Sequence, residues 1–299
     1  MSSATQSNSV PKRSGTVALI GRPNVGKSTL VNNLIGQKVA ITSPKPQTTR
    51  FPIEGLYQDE RGQIIFIDTP GIFLKAKDPV SKRVNEKALE PFNKDVDLAL
   101  YLIDHTRKRD FEEAKVVGIT RKLNIPKVLV INKIDVTEPT YRAQYRFLEE
   151  ECDAVVEISA LNRTHLKTLL ETIFTMLPER DQPIVDANLY PYPAINLDSR
   201  TFIAEIIREK VFLRTRKEVP YTTTAVVDNV IERDANTTYI QARVLTTDDT
   251  YKKMLIGAGG RRIKEIGTMA RKELETATNR KIYLDLTVET DRHWPETLG

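Results

Sequence analysis

The sequence predicts an α/β domain built on a mostly parallel sheet, followed by a smaller α+β domain. Short apolar runs alternate with amphipathic stretches from about Gly15 to Leu177, which implies strand–helix–strand crossovers. A proline-rich, aperiodic stretch then precedes a second run of elements in the order αββααβ, beginning near residue 199. A glycine-rich octapeptide, Gly21-Arg-Pro-Asn-Val-Gly-Lys-Ser28, sits where the first strand should hand over to the first helix.

In chain order, the strand-like runs of the first domain are 16–20, 63–68, 96–104, 127–132 and 154–158. Helical patterns fall at 27–35, 80–92, 110–122, 140–151 and 163–177. Residues 51–58 and 63–68 flank Asp59-Glu-Arg-Gly62 and read as a hairpin, adding one antiparallel edge strand. In the second domain Ile203, Ile206, Ile207 and Val211 share one face of a helix at 199–213. Two strands follow (222–232 and 238–247), then a short helix, a glycine-rich break, a longer helix and a last strand at 281–289. The expected limits are a disordered leader at 1–14, the first domain at 15–178, a linker at 179–198, the second domain at 199–290 and a tail at 291–299.

Composition narrows the function classes. No apolar run approaches the length of about 18 residues that a spanning helix needs. The N-terminal stretch has no apolar core, so it does not read as a secretory signal. Cys152 is the single cysteine, which excludes an internal disulfide and fits a reducing, cytoplasmic setting. The three histidines lack cysteine partners, so no zinc site is expected. The net charge is +5, but it is unevenly placed: the first 50 residues carry seven Lys/Arg and no acid, and residues 251–272 carry seven against Glu265 alone. Two such positive stretches suggest two polyanionic partners.

The octapeptide fits a phosphate loop. Gly21 and Gly26 let successive backbone N–H groups turn inward, and the helix behind adds its positive end. Arg22, Pro23, Asn24, Val25 and Thr29 complete the cradle, Lys27 brings a point charge, and the Ser28 hydroxyl can ligate Mg²⁺. Asp68-Thr69-Pro70-Gly71 follows a strand, so Asp68 lies at the carboxyl edge where ligands bind, able to hold Mg²⁺ through water. Asn132-Lys133-Ile-Asp135 ends another strand at that edge. The Asp135 carboxylate can accept from guanine N1–H and the exocyclic amine, a donor pair adenine lacks. Ser159-Ala160 would add a backbone N–H for guanine O6. Together these call for GTP or GDP and Mg²⁺ as ligands, and for hydrolysis of GTP to GDP and phosphate.

Between phosphate loop and Asp68, Ser43-Pro-Lys-Pro-Gln-Thr-Thr-Arg50 reads as a switch segment. Thr48 and Thr49 could each reach Mg²⁺ in the GTP state, and Thr49 is favoured because Arg50 follows it, an order that resembles related GTPases. A glutamine that orients water often follows Gly71, but here the residue is Ile72, so a slow intrinsic rate is expected. The position of Asn24 resembles that of an asparagine which in some related GTPases helps bind K⁺, and this implies K⁺ as the source of the missing charge.

In the second domain Gly257-Ala258-Gly259-Gly260 joins two helices among basic residues. A GxxG loop lets an RNA backbone approach the peptide closely. Ile256 lies before the loop, and Lys252, Lys253, Arg261, Arg262 and Lys264 are candidate phosphate contacts.

The four nucleotide motifs in this order make residues 15–177 similar to translation-factor-like P-loop GTPases. The αββααβ unit resembles a type II KH domain. With GRPNVGKSTL, SPKPQTTR, EIIREK and IGAGGRRIKEIG in one chain, the sequence from Gly15 to about Val288 resembles the Era family of GTPases. That resemblance implies binding of the 3′ end of small-subunit (16S) ribosomal RNA, a role in assembly of the 30S subunit, and RNA binding favoured by GTP. It leaves open a peripheral contact with the cytoplasmic membrane face, and nothing demands more than a monomer. One departure is the loop centre Ala258-Gly259, which has no lysine. Two rivals remain: a GTPase of this class without an RNA-gripping module, and an RNA-binding assembly factor that binds GTP without turnover.

Overall fold

A computed structural model describes residues 12–46, 48–72, 79–93, 95–180, 183–189, 196–234 and 236–296. The expected leader lies almost wholly outside them. By backbone contacts the chain forms two units: residues 1–40, 51–74 and 87–195, and residues 41–50, 75–86 and 196–299.

The first unit holds a six-stranded sheet in the order β2-β3-β1-β4-β5-β6. These strands are β1 (Arg13–Ile20), β2 (Ile53–Asp59), β3 (Gly62–Asp68), β4 (Leu98–Asp104), β5 (Lys127–Asn132) and β6 (Ala154–Glu157). All pairings are parallel except β2 with β3, the expected hairpin. β1 starts at Arg13, inside the stretch expected to be leader, because Arg13 and Ser14 pair in register with Gly62 and Gln63. Every residue of β3 and of β4 is buried, as expected for strands covered on both faces. Helices α1 (Lys27–Ile35), α3 (Phe111–Thr120) and α4 (Leu166–Met176) occupy the predicted intervals, as does α2 (Pro79–Leu89), most of which groups with the second unit. The segment at 142–148, expected within an α-helix, is a 3₁₀ helix. Its two buried side chains, Tyr145 and Leu148, are three residues apart, the spacing that a three-residue turn brings onto one face.

The second unit holds α5 (Ser199–Arg214), β7 (Thr223–Asp234), β8 (Thr237–Thr246), α6 (Asp249–Ile256), α7 (Arg261–Thr278) and β9 (Lys281–Thr290). Its sheet runs β7-β8-β9, antiparallel then parallel. Ile203, Ile206, Ile207 and Val211 of α5 and Ile266, Ala270 and Leu274 of α7 close its apolar core over Ile240, Ala242 and Val244. The expected tail is part of this unit: Trp294 is buried and its indole N–H donates to Thr222 O at 3.1 Å.

Residues 41–50 also group here. Thr42 N donates to Glu209 Oε1 at 2.7 Å, and the Lys45 ammonium donates to the carbonyls of Phe212 and Thr215. Arg208 bridges Glu205 and the Thr48 carbonyl. Glu205, Arg208, Glu209 and Lys210 are all buried on α5, and Lys210 pairs with Glu209 and Glu273, so the charges are matched as burial requires. Arg50 stacks over Trp294, 5.2 Å from the ring centre.

Candidate nucleotide and RNA sites

The phosphate loop runs from the end of β1 into α1. Gly26 has φ 104° and stands where a Cβ would lie 2.3 Å from the Asn132 amide nitrogen, so only glycine fits. It caps α1 without any side-chain hydrogen bond, which leaves the first-turn N–H groups of the helix for an anion. The Lys27 ammonium is buried and donates to the carbonyls of Gly21 and Arg22 at 3.1 Å each. Burial pushes it down to about 8, against the pull of Asp68. A phosphate at this position would restore the charge.

Ser28 Oγ donates to Asp68 Oδ2 at 2.6 Å. A hydroxyl and a carboxylate side by side are hard oxygen donors that suit Mg²⁺, which usually takes one or two protein oxygens and fills its octahedron from water and phosphate. Among the described residues no cluster of three or more His, Cys, Asp or Glu forms a metal cage of its own. Thr49, expected as a third ligand, belongs to the 41–50 segment of the second unit, and the Thr48 hydroxyl donates to Lys45 O at 2.7 Å. Thr69 donates to Leu19 O, and Ile72 N donates to Gly21 O at 3.5 Å, so the Asp68–Gly71 turn is tied to β1. The Ile72 side chain is buried with Ile20, Tyr101 and Ile103.

On the base side, Asn132 Nδ2 donates to Val25 O at 2.7 Å and its Oδ1 accepts from Ala160 N at 2.9 Å. This residue therefore ties the phosphate loop to the 159–160 turn. Asp135 is exposed at the end of the β5 loop, open to a base edge. In the 159–160 turn Ser159 N donates to Thr164 O at 3.3 Å and Ala160 N to Asn132 Oδ1 at 2.9 Å, which sets this turn beside Asn132. The Arg22 side chain is wholly buried and pairs with Glu113 at 2.6 Å, which leaves its backbone to the phosphate loop.

In the second unit Gly257, Gly259 and Gly260 all have positive φ, and nothing lies within 4 Å of a Cβ built on Gly259 or Gly260. The loop thus presents bare backbone to solvent. Lys253, Arg261 and Lys264 are exposed around it. Arg262 is exposed but folds back to donate to Met254 O, a partner that holds the α6–α7 corner. Beside the loop a cavity of about 320 Å³ is lined by Ile263, Lys264, Gly267, Thr268, Arg271, Leu284 and Leu286. Leu284 and Leu286 were not singled out from sequence. They occupy inward positions on β9 yet stay half-exposed, which distinguishes them from Ile282 and Val288 of the same face. An apolar floor beside a basic, bare-backbone loop can seat unstacked bases while the loop holds the phosphates.

Comparison with known proteins finds a family match in each part of the chain. Residues 16–133 match the family described as 50S ribosome-binding GTPase, and residues 206–295 match the KH domain. The GTPase Era of Halothermothrix orenii is 42% identical over 290 residues, covering 96% of each chain. This chain belongs to the Era family of GTPases. The GTPase Era of Geobacter metallireducens is 40% identical over 295 residues, covering 96% of this chain and 95% of its own. Among solved structures, a single-residue variant of Aquifex aeolicus Era bound to GDP·AlF₄⁻ superposes with a TM-score of 0.87 at 36% identity, covering 96% of each chain. A structure of Era in complex with MgGDPNP and nucleotides 1506–1542 of 16S ribosomal RNA gives 0.87 at 35% identity, again covering 96% of each chain. As a member of this family the chain binds and hydrolyses GTP on a P-loop domain and carries a C-terminal KH domain. Among the described residues no helix is long and apolar enough to cross a membrane.

Proposed function

We propose that this GTPase binds the single-stranded 3′ region of 16S ribosomal RNA through its KH domain and assists maturation of the 30S subunit in the cytoplasm. The observation that carries the reading is the exposed, positive-φ glycine loop opening beside the half-apolar groove of Leu284 and Leu286. A relative at 35% identity whose structure contains 16S nucleotides supports it. Mg²⁺ would be held by Ser28 and Asp68 and would neutralise charge on the outer phosphates when bound. Lys27 and the N-terminus of α1 hold those phosphates, and Asp135 selects guanine.

Phosphoryl transfer needs positioning and charge stabilisation more than covalent help. With Ile72 packed in the core, the chain offers no water-orienting side chain at that position. Asn24, exposed in the left-handed region at φ 62°, is the loop residue we assign to a K⁺ site supplying that charge. Equal hydrolysis rates in K⁺ and Na⁺ buffers would overturn this assignment.

The RNA reading is tested by titrating a single-stranded RNA of the 16S 3′ sequence against the full chain and against Gly259→Asp. The substitution puts a carboxylate where the phosphodiester must pass and a side chain on a positive-φ site. Affinity is expected to fall at least about tenfold while GTP turnover persists. Equal affinity for both proteins would contradict it.

A further inference from the structure

The loop after β4, residues 104–110, contains no nucleotide motif, yet it is bonded to both halves of the nucleotide site. On the phosphate side, the buried Arg22 guanidinium pairs with Glu113 at 2.6 Å and Asp110 at 3.0 Å. It also donates to Lys108 O at 3.3 Å and Tyr145 Oη at 2.8 Å. Tyr145 Oη in turn donates to Arg107 O at 2.8 Å, and Tyr101 donates to Glu113 from the core side. The link is reciprocal, because Arg107 Nη1 donates to Pro23 O at 2.8 Å. On the guanine side, Asp104 pairs with Lys133 at 2.6 Å and His105 Nε2 lies 3.0 Å from Lys133 O.

We propose that Arg22, Arg107 and Glu113 are positioning residues for GTP hydrolysis, which through the 104–110 loop lock the outer half of the phosphate loop to the guanine loop. Stability alone is a weak reason for the cage. A buried ion pair is often replaceable by apolar side chains at no cost, so its better-attested use is to fix register. The register here is that of residues 21–24, whose carbonyls are held by Lys27 and Arg107 so that the N–H groups of the loop can face phosphate within a fraction of an ångström. Arg22 alone would pin one residue. The return bond from Arg107 pins the next, so the loop is held on consecutive residues from one external element. Burial by itself would lower the Arg22 guanidinium, but Glu113, Tyr145 and Asp110 outweigh it and hold the charge in place.

The test is kcat per active site and KM for GTP, with sites counted by titration with a fluorescent GDP and folding followed by Tm. Arg107→Ala removes the bond to Pro23 O from a half-buried residue and leaves the cage intact. The double variant Arg22→Met/Glu113→Leu replaces the ion pair by apolar groups. We expect kcat per site to fall about tenfold in Arg107→Ala at unchanged Tm, and at least as far in the double variant, with Arg22→Lys between it and the unaltered chain. A purely structural role would lower Tm or the number of sites while leaving kcat per site and KM untouched. Values within twofold of the unaltered chain in Arg107→Ala would overturn the proposal, even if the double variant failed to fold.

Discussion

Ser28 Oγ lies 2.6 Å from Asp68 Oδ2, joining the first turn of α1 to the carboxyl end of β3. The hydroxyl comes from the phosphate loop and the carboxylate from the strand that the Asp68–Gly71 turn leaves. One short contact thus brings two hard oxygens from these two elements together.

Replacing that carboxylate is therefore expected to weaken the metal more than the base. Asp68→Asn keeps a hydrogen-bond acceptor for Ser28 but removes the charge. The Mg²⁺ concentration giving half-maximal turnover should rise at least about tenfold, equivalent to roughly 1.4 kcal/mol. Steady-state GTP hydrolysis across a Mg²⁺ series checks this.

Asp135→Asn should exchange the preferred base. An amide still accepts from N1–H but meets the guanine amine with its own donor, leaving two donors face to face. GTP affinity is expected to fall by about 10³-fold or more, while xanthosine triphosphate, with a carbonyl at that carbon, is gained. Competition binding with both nucleotides measures the exchange.

Cys152 gives a pH signature of the first unit. Burial pushes its thiol up to about 11, so the neutral form is favoured in the fold and the thiolate appears only at high pH. At pH 8 alkylation by iodoacetamide should run roughly a hundredfold or more below a free thiol of pKa about 8.5. The rate should then climb about tenfold per pH unit up to pH 10. Mass spectrometry of timed aliquots reads it.

The charged face of α5 makes a stability prediction. Arg208 and Glu205 are both buried, with Arg208 also bonded to Thr48 O. Arg208→Met strands the Glu205 carboxylate and should cost about 3–5 kcal/mol. The double variant Arg208→Met/Glu205→Leu should recover most of that. Urea unfolding of the three proteins separates the cases.

Much of this was legible before any coordinates. The alternation of strands and helices, the antiparallel edge hairpin, the phosphate loop and the αββααβ order each rest on local periodicity or glycine placement, and local signals survive in a sequence. What was not legible depends on partners distant along the chain. The burial of Arg208 and Glu209 rests on residues 41–50, about 160 positions away, and that of Lys210 on Glu273, so in the sequence this looks like an ordinary polar face. The buried pairing of the Arg22 side chain with Glu113 and Asp110 depends on residues about 90 positions away and leaves no local signal. Trp294 reads as tail because its acceptor, Thr222 O, is 72 residues back. The 3₁₀ form of 142–148 was missed because Tyr145 and Leu148 suit a helical period of three or of 3.6.

The most direct test of a nucleotide-governed RNA grip is the affinity of the full chain for the 16S 3′-end RNA in three states, with a GTP analogue, with GDP and without nucleotide. Tight binding with the analogue, weakened at least about tenfold by GDP, is the expected result. Equal affinity in all three states would contradict it, leaving a GTPase and an RNA-binding domain that share a chain without sharing a switch.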